Sequence, residues 1–481
     1  MPDQEFHNIF ALRFDMIQKQ SGKALEVVME LGVEQKRCLE RLTWAIHELG
    51  GVVEPAQLES ISELIIQTMT GPWRFFHTPE HIFEVGGAID PIEVLAALFH
   101  DLVYVQVDHG VNLNISNYIS PYVKEVQKNL VIRSESELPS QRIFELVICV
   151  FGFKPEMNLS PFAGQNEFLS ALIAGFCLQP FLSAAVIAEI AACIEATIPF
   201  RPIVEGVSAA EKLHHRLNLA NERFNFGWSE EQVIAVVHRS VRLANRDVEN
   251  FATPNSANFL DNTWNLMPET NHHLGVANTY TVRQYRESLQ KMEGFMGFLQ
   301  PELVFQQFRG EPDDATYQGL IERTAKNLEV ARLYLGSKLL SIAILEALSY
   351  RLGQDLPIST LMGELPTSGR ATPALENFLP DLSDKIDPLT PMEKEVLELL
   401  SKGRTKDSNY DLKNSPVTTF LVQAIGFDEI KHQLKVGKDF FAGNLSAEDF
   451  LSQCNSQVVK GITEGMLKLF DSRKAALAQW N

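Results

Sequence analysis

Apolar residues recur at three- and four-residue spacing along most of this 481-residue chain. Leu58, Ile61 and Ile65 show the pattern near the N-terminus, and Leu335 and Leu339 show it again in the second half. This spacing gathers apolar side chains on one face of an α-helix. The sequence lacks the alternating, β-branched pattern that several strands would require. We therefore predict an almost all-α fold.

Glycine and proline clusters divide the helical patterns into regions. We predict an N-terminal helical extension over residues 1–70, a central helical domain over 71–352, a linker over 353–390 and a C-terminal helical module over 391–481. A helix is also predicted over 119–132, within the central domain. Residues 251–280 are polar, contain two prolines and lack a helical period, so we predict a long loop there.

Composition restricts the partners and the compartment. The net charge of −19 opposes the binding of a polyanion, so no nucleic-acid partner is expected. The five cysteines are scattered and show no C-x-x-C spacing, which fits buried free thiols in a reducing compartment. The most apolar stretch, residues 181–198, contains Glu189 and Glu195, so no membrane span is expected. We predict a cytoplasmic protein.

Two groups of polar residues stand out between residues 75 and 112. His77 and His81 lie four residues apart and would share one face of a helical turn. His100 and Asp101 end the mostly apolar run 92–99, where an unsatisfied imidazole and carboxylate would be costly. Imidazole nitrogen and carboxylate oxygen together suit a borderline divalent cation such as Zn, Mn, Fe or Ni. The pattern therefore predicts a metal site.

These motifs resemble those of the HD-domain metal-dependent phosphohydrolases, an all-helical superfamily. Residues 73–81 are similar to the family's Tyr-His-x-x-x-His segment, and residues 98–104 are similar to its Phe-His-Asp-x-Val-Tyr segment. The resemblance covers roughly residues 60–255. It implies an HD-domain helical bundle, to which the N-terminal extension and the C-terminal module are added.

The resemblance also implies a ligand set. His81, His100, Asp101 and Asp247 would hold one divalent metal ion, which could be Mn, Ni, Co, Fe, Zn or Mg. Asp247 follows an apolar helical segment, as the family's last ligand does, although an aspartate there also fits a helix cap. His77 would act as an acid or contact the phosphate without binding the metal.

Two positions bear on the number of metal ions. Phe200 and Tyr104 stand where some relatives carry further histidine or glutamate ligands. Their presence favours one ion over two.

Further polar residues near the motifs have two interpretations each. Asp108 would orient the attacking water or act as a general base, or it would simply occupy a turn before Gly110. Arg74, Arg201 and Arg246 flank the motif segments and would clamp a phosphate. Alternatively, each arginine forms an ordinary ion pair with one of the many acids.

The function predicted from these residues is metal-dependent hydrolysis of a small phosphate ester, such as a nucleotide or a cyclic nucleotide. One alternative is a non-catalytic HD scaffold that serves as a sensor or an interaction protein. A second alternative, a metal-dependent oxygenase on an HD frame, usually needs two irons and more ligands. The C-terminal helices, which carry no recognisable catalytic motif, are expected to mediate interactions, for example in a homodimer.

Overall fold

The computed structural model describes residues 22–52, 54–362, 373–382 and 385–478. Helices dominate this part of the chain, which confirms the predicted all-α fold class. The chain divides into two compact units. Unit 1 comprises Met1–Asp247 and Gln306–Asp313, and unit 2 comprises Val248–Phe305 and Asp314–Asn481.

Unit 1 contains helices from both the predicted N-terminal extension and the predicted central domain. In chain order its elements are α1 (Gly22–Glu48), α2 (Pro55–Met69), α3 (Pro79–Gly86), α4 (Pro91–His100), α5 (Val105–Asp108), α6 (Leu113–Ile119), β1 (Val123–Val126), β2 (Asn129–Ile132), α7 (Arg142–Phe151), a 3-10 turn at Pro161–Ala163, α8 (Gln165–Leu178), α9 (Ala184–Ala196), α10 (Ala209–Phe224) and α11 (Glu230–Asp247).

Helix α9 lies at the centre of unit 1 and packs against α4, α7, α8 and α11. Its sequence, AAVIAEIAACIEA, is rich in alanine, so neighbouring helices can approach it on several sides. Helix α1 packs against α2 and α4, which joins the N-terminal helices to the same core. The core therefore holds α4 and α11, the two helices that end at predicted metal ligands.

Unit 2 is built around one long helix. In chain order its elements are a 3-10 turn at Glu249–Ala252, α12 (Ser256–Thr270), a 3-10 turn at His272–Gly275, α13 (Val282–Phe298), a 3-10 turn at Pro301–Leu303, α14 (Asp314–Tyr350), α15 (Ile358–Met362), a 3-10 turn at Leu375–Phe378, α16 (Pro391–Lys402), α17 (Pro416–Phe441), α18 (Ala447–Gln453) and α19 (Ser456–Ala478). Helix α14 packs against α13, α16, α17 and α18. Its second half is buried on all sides, as expected for a helix inside a bundle.

The predicted helix over residues 119–132 is wrong. β1 and β2 form an antiparallel hairpin in which Val123 faces Ile132 and Val126 faces Asn129. The turn residues Gln127 and Lys128 both adopt positive φ, which is the geometry of a type I′ hairpin turn. This turn usually carries Asn-Gly, so the sequence offered no hairpin signal.

The predicted loop over residues 251–280 is also wrong, because α12 occupies half of it. Asn255 caps this helix by accepting a hydrogen bond from the Ala257 backbone N–H at 2.9 Å. Phe259, Trp264 and Met267 are buried at helical spacing. Pro268 has no N–H to donate to the Trp264 carbonyl oxygen, which accepts a hydrogen bond from Tyr410 Oη at 2.7 Å instead.

Among the described residues, no helix combines the length and the apolar character that crossing a membrane requires.

Candidate metal centre

Four residues predicted from the sequence come together in unit 1. His81 lies on α3, His100 is the last residue of α4, Asp101 caps that helix, and Asp247 is the last residue of α11. One nitrogen or oxygen atom from each lies within 4.8 Å of the corresponding atoms of the other three. Two consecutive helices and one helix from much later in the chain thus converge on one point.

Local sequence explains where the ligand helix α4 begins. The Asp90 carboxylate accepts hydrogen bonds from the backbone N–H groups of Ile92 and Glu93, at 2.9 and 3.3 Å. Pro91 occupies the first helical position, where its missing N–H costs nothing. The helix then remains buried as far as His100, whose side chain is only 1% exposed.

The distances between the donor atoms fit a shared metal ion. His81 Nε2 lies 3.1 Å from Asp247 Oδ1 and 3.3 Å from Asp101 Oδ2. His100 Nε2 lies 3.0 Å from Asp101 Oδ2 and 3.3 Å from Asp247 Oδ1. Two ligands that are each ~2.1 Å from an ion are about 3.0 Å apart at right angles and about 3.4 Å apart at the tetrahedral angle. The four histidine–carboxylate distances fall within this interval, so the residues present fit a divalent ion.

A hydrogen bond within α4 fixes the orientation of the His100 ring. Its Nδ1 donates to the Ala97 carbonyl oxygen at 2.8 Å, within the same helix. With the proton on Nδ1, a neutral ring has its lone pair on Nε2, the atom that faces both carboxylates. The backbone of α4 therefore selects the tautomer that a metal site needs.

Without a metal, the four groups stabilise one another as ions. Burial alone would lower the pKa of His81, but its close contacts with the carboxylates of Asp101 and Asp247 outweigh burial and raise the pKa to about 9. Burial would raise the pKa of Asp247, but the charge of His100 and the hydrogen bonds of both histidines hold it at about 2. The pKa of His100 is raised and that of Asp101 is lowered by the same mutual attraction. A divalent cation would replace the histidine protons.

Arg246 connects the three ligand helices. Its Nε donates to the Val85 carbonyl on α3 at 2.6 Å, and its Nη2 lies 2.6 Å from Glu93 Oε2 on α4. Arg246 itself precedes Asp247 at the end of α11. This guanidinium, predicted to clamp phosphate, thus holds the helices of His81, His100 and Asp247 together.

Arg74 and Asp108 pair with each other. Arg74 Nε and Nη2 donate to the two Asp108 carboxyl oxygens at 2.9 and 2.7 Å. Arg74 Nη1 also donates to the backbone carbonyl of Asp101 at 2.9 Å. The Arg74 side chain is 0% exposed, so it fixes the backbone at Asp101 and is closed to a substrate. Asp108, predicted to orient water, lies in this ion pair and is not among the four converging residues.

Arg201 also pairs with an acid. It lies 2.6 Å from Glu195 on α9, and Arg216 reaches the same carboxylate. All three arginines predicted to bind phosphate therefore have acidic partners, which is the alternative that the sequence left open.

His77 lies beside the four converging residues. Its Nε2 is 3.9 Å from Asp101 Oδ2, farther than the 3.3 and 3.0 Å that separate His81 and His100 from the same oxygen. Its ring contacts that of Tyr104, with centroids 4.7 Å apart. His77 therefore adjoins the cluster, and its role as an acid or a phosphate contact stays a prediction.

Sequence reasoning missed Glu167, on the first turn of α8. Burial raises the pKa of its carboxyl to about 7, and the negative charges of Asp101 and Asp247 add to this rise. No local motif marks this glutamate, because its significance comes from residues 66 and 80 positions away. An isolated acid on an otherwise apolar helix, FLSALIAGFCL, was the available signal.

Comparisons of the chain with protein-family models, with curated proteins and with solved structures found no match. The likeness to HD-domain proteins therefore rests on the motif residues, and family membership stays a prediction.

Proposed function

We propose that this protein is a metal-dependent phosphohydrolase that acts on a small phosphate ester, such as a nucleotide or a cyclic nucleotide. One observation carries the proposal. The side chains of His81, His100, Asp101 and Asp247 converge, and each histidine Nε2 lies 3.0–3.3 Å from an oxygen of both carboxylates, as suits ligands around one divalent ion.

A divalent ion in this cluster would lower the pKa of a coordinated water and polarise a phosphoryl oxygen. Four protein ligands fill a tetrahedral ion but leave positions open on a six-coordinate one. Hydrolysis needs such an open position, so the site favours Mn, Fe, Co, Ni or Mg over four-coordinate Zn. The two histidines and two aspartates together supply two negative charges, which balance the ion when both histidines are neutral.

The residues around the cluster have two kinds of proposed role: some hold the helices of the cluster in place, and others contact the substrate. Arg246 holds the ligand helices together through Val85 and Glu93, and Arg74 holds the backbone at Asp101. His77 adjoins Asp101 and is the candidate to contact the phosphate. Arg201 retains one buried nitrogen, Nε, that has no hydrogen-bond partner within the described part of the chain.

The test is reconstitution with metal. Protein stripped by a chelator is loaded with Mn, Ni, Co or Mg and assayed with 4-nitrophenyl phosphate, bis(4-nitrophenyl) phosphate and a panel of nucleotides. We expect hydrolysis that depends on the ion and that His81→Ala abolishes. His47→Ala is the matched control, because this histidine is exposed on α1.

A non-catalytic metal-binding protein is the second candidate. It is favoured by the pairing of Arg74, Arg201 and Arg246 with acids, which leaves few cations free to bind phosphate. A stoichiometric ion without hydrolysis of any ester in the panel would favour this candidate. The cytoplasmic location and a homodimer through the C-terminal helices stay predictions.

A further inference from the structure

A row of aromatic side chains adjoins the metal centre. The centroid of the Phe76 ring lies 5.0 Å from the ring centroids of both His77 and the ligand His81. The Tyr104 ring in turn lies 4.7 Å from the ring of His77. Together, the rings of Phe76, His77 and Tyr104 form an aromatic wall that begins beside a metal ligand.

The aromatic wall and the cluster both reach solvent. Phe76 and Tyr104 are partly buried, and the His77 side chain is 12% exposed. The side chains of Asp101 and Asp247 are 19% and 16% exposed. His77 Nε2 lies 3.9 Å from Asp101 Oδ2, so the wall and the cluster are neighbours. A molecule that binds at the two carboxylates therefore has aromatic rings within its reach.

The neighbours of Tyr104 fix the position of its ring. The Arg74 guanidinium lies over this ring, 5.8 Å from its centroid, and donates a hydrogen bond to the backbone carbonyl of Asp101 at 2.9 Å. The backbone N–H groups of Val103 and Val105 donate to side chains of α8 at 3.0 and 3.2 Å. Tyr104 is therefore pre-positioned relative to a metal ligand, and it loses little freedom when a molecule binds.

The aromatic wall suits a flat aromatic group better than a bare sugar. A sugar binds through hydrogen bonds to its hydroxyl groups, but the guanidinium groups of Arg74, Arg201 and Arg246 already have acidic partners. A nucleobase binds differently, because it stacks on an aromatic ring and every base has a flat face to offer. The surroundings of the cluster therefore favour a phosphate ester that carries a base.

We propose that the Tyr104 ring stacks on the base of a nucleotide whose phosphate lies at the metal centre, an inference that rests on the proposed function above. In a nucleotide one sugar ring joins the base to the phosphate. Tyr104 is likewise joined to the cluster through one ring, that of His77, whose Nε2 lies near Asp101. A base on Tyr104 thus leaves the phosphate beside His77 and the cluster, and Tyr104 selects nucleotides among phosphate esters.

The experiment compares two phosphate esters that differ in the base. Adenosine monophosphate carries a base, and ribose 5-phosphate does not. We expect wild-type kcat/KM to be about tenfold higher for the nucleotide, which is the effect of one stacked base. Tyr104→Leu should remove most of this preference through the nucleotide alone, and Tyr104→Phe, which keeps the ring, should retain it. Tyr118→Leu, at a partly buried tyrosine of α6, is the matched control.

A second measurement does not depend on turnover. The monophosphate of 2-aminopurine riboside is fluorescent, and stacking on an aromatic ring quenches this fluorescence. Stopped-flow mixing with Mg-loaded protein records the signal before hydrolysis. We expect quenching by the wild type and by Tyr104→Phe, and much less by Tyr104→Leu. Metal content and circular dichroism of the variants should match the wild type. If Tyr104→Leu does not fold, Tyr104→Met, whose flexible side chain adapts to the same space, replaces it.

The outcomes separate the two proposals. Equal wild-type kcat/KM for the two esters, equal losses for both in Tyr104→Leu, or hydrolysis without quenching of the probe would overturn the role of Tyr104 alone. A wild type that hydrolyses no ester but quenches the probe through Tyr104 would overturn the proposed function and support the nucleotide site. Neither hydrolysis nor quenching would overturn both.

Discussion

Arg246 Nη2 lies 2.6 Å from Glu93 Oε2, and this ion pair joins the helix that ends in Asp247 to the helix that ends in His100. The same guanidinium donates to Val85, on the helix of His81. Removing it leaves every ligand present but loosens their geometry. We expect Arg246→Ala to weaken metal binding by about 10- to 100-fold, as is usual when a residue that orients metal ligands is lost.

Competition with a chelating dye measures this affinity. The control is Arg223→Ala, which breaks an exposed ion pair with Glu145 in the same unit. Unchanged affinity in Arg246→Ala would show that packing alone orients the ligands.

Breaking the ion pair between Asp108 and Arg74 should lower the free energy of unfolding. Asp108→Ala leaves the Arg74 guanidinium buried without its carboxylate, which should cost about 3–5 kcal/mol in the free energy of unfolding. Chemical denaturation measures this change, and Glu145→Ala should cost less than about 1 kcal/mol. A catalytic base would behave differently: its replacement would abolish turnover and leave stability unchanged.

The pKa shifts predict how metal-free stability depends on pH. The pKa of His81 is about 9 in the fold, against 6.5 ordinarily, so its stabilising contribution is complete below pH 6.5 and is lost as pH rises through 9. Asp247 has a pKa of about 2, against 3.8, so its contribution is complete above pH 3.8 and is lost as pH falls through 2. The metal-free melting temperature should therefore be highest between these limits and fall from pH 6.5 to 9.

Metal binding should show the opposite trend over the same range. The ion needs a neutral His81, so its apparent affinity should rise between pH 6.5 and 9 as the proton competes less. Scanning fluorimetry with and without metal measures both trends. His81→Gln should reduce the alkaline fall in metal-free stability without removing it, because the pKa of His100 is also raised by Asp101 and Asp247. An undiminished fall in this variant would refute the contribution of His81.

Replacing the buried carboxylate of Asp411 should lower the stability of unit 2. Asp411 Oδ2 accepts hydrogen bonds from Trp264 Nε1, Tyr285 Oη and Lys338 Nζ, at 2.7–2.8 Å. Asp411→Ala should destabilise unit 2 by about 3–5 kcal/mol, because it leaves the Lys338 ammonium buried and unpaired. Denaturation monitored by tryptophan fluorescence reports the loss. Asp428→Ala, at an exposed aspartate, should have little effect.

Much of the fold could be predicted because local sequence signals agreed with tertiary packing. Asp90 and Pro91 mark the start of α4, and the structure has both in those positions. The helical spacing of apolar residues in α9 and α14 matches their burial. The ligand set could be chosen because its motif residues lie next to clear helix signals, and the structure brings all of them together.

What the sequence could not predict depends on distant contacts or on unusual turns. The hairpin turn at Gln127 and Lys128 uses residues that rarely adopt positive φ. The sequence around an arginine does not show whether its guanidinium faces a substrate or an acid. Glu93 and Glu195 could therefore not be assigned as the partners of Arg246 and Arg201. Glu167 acquires its character only from burial beside residues far away in the chain.

Elemental analysis of the purified protein tests the central claim most directly. The wild type, and protein stripped and reloaded with Mn, Fe, Co, Ni or Zn, should contain one ion per chain. The double variant His100→Ala with Asp101→Ala should contain none while its helical content stays nearly unchanged. No bound ion in the wild type under any of these conditions, or full occupancy in the double variant, would contradict the assignment of the metal centre.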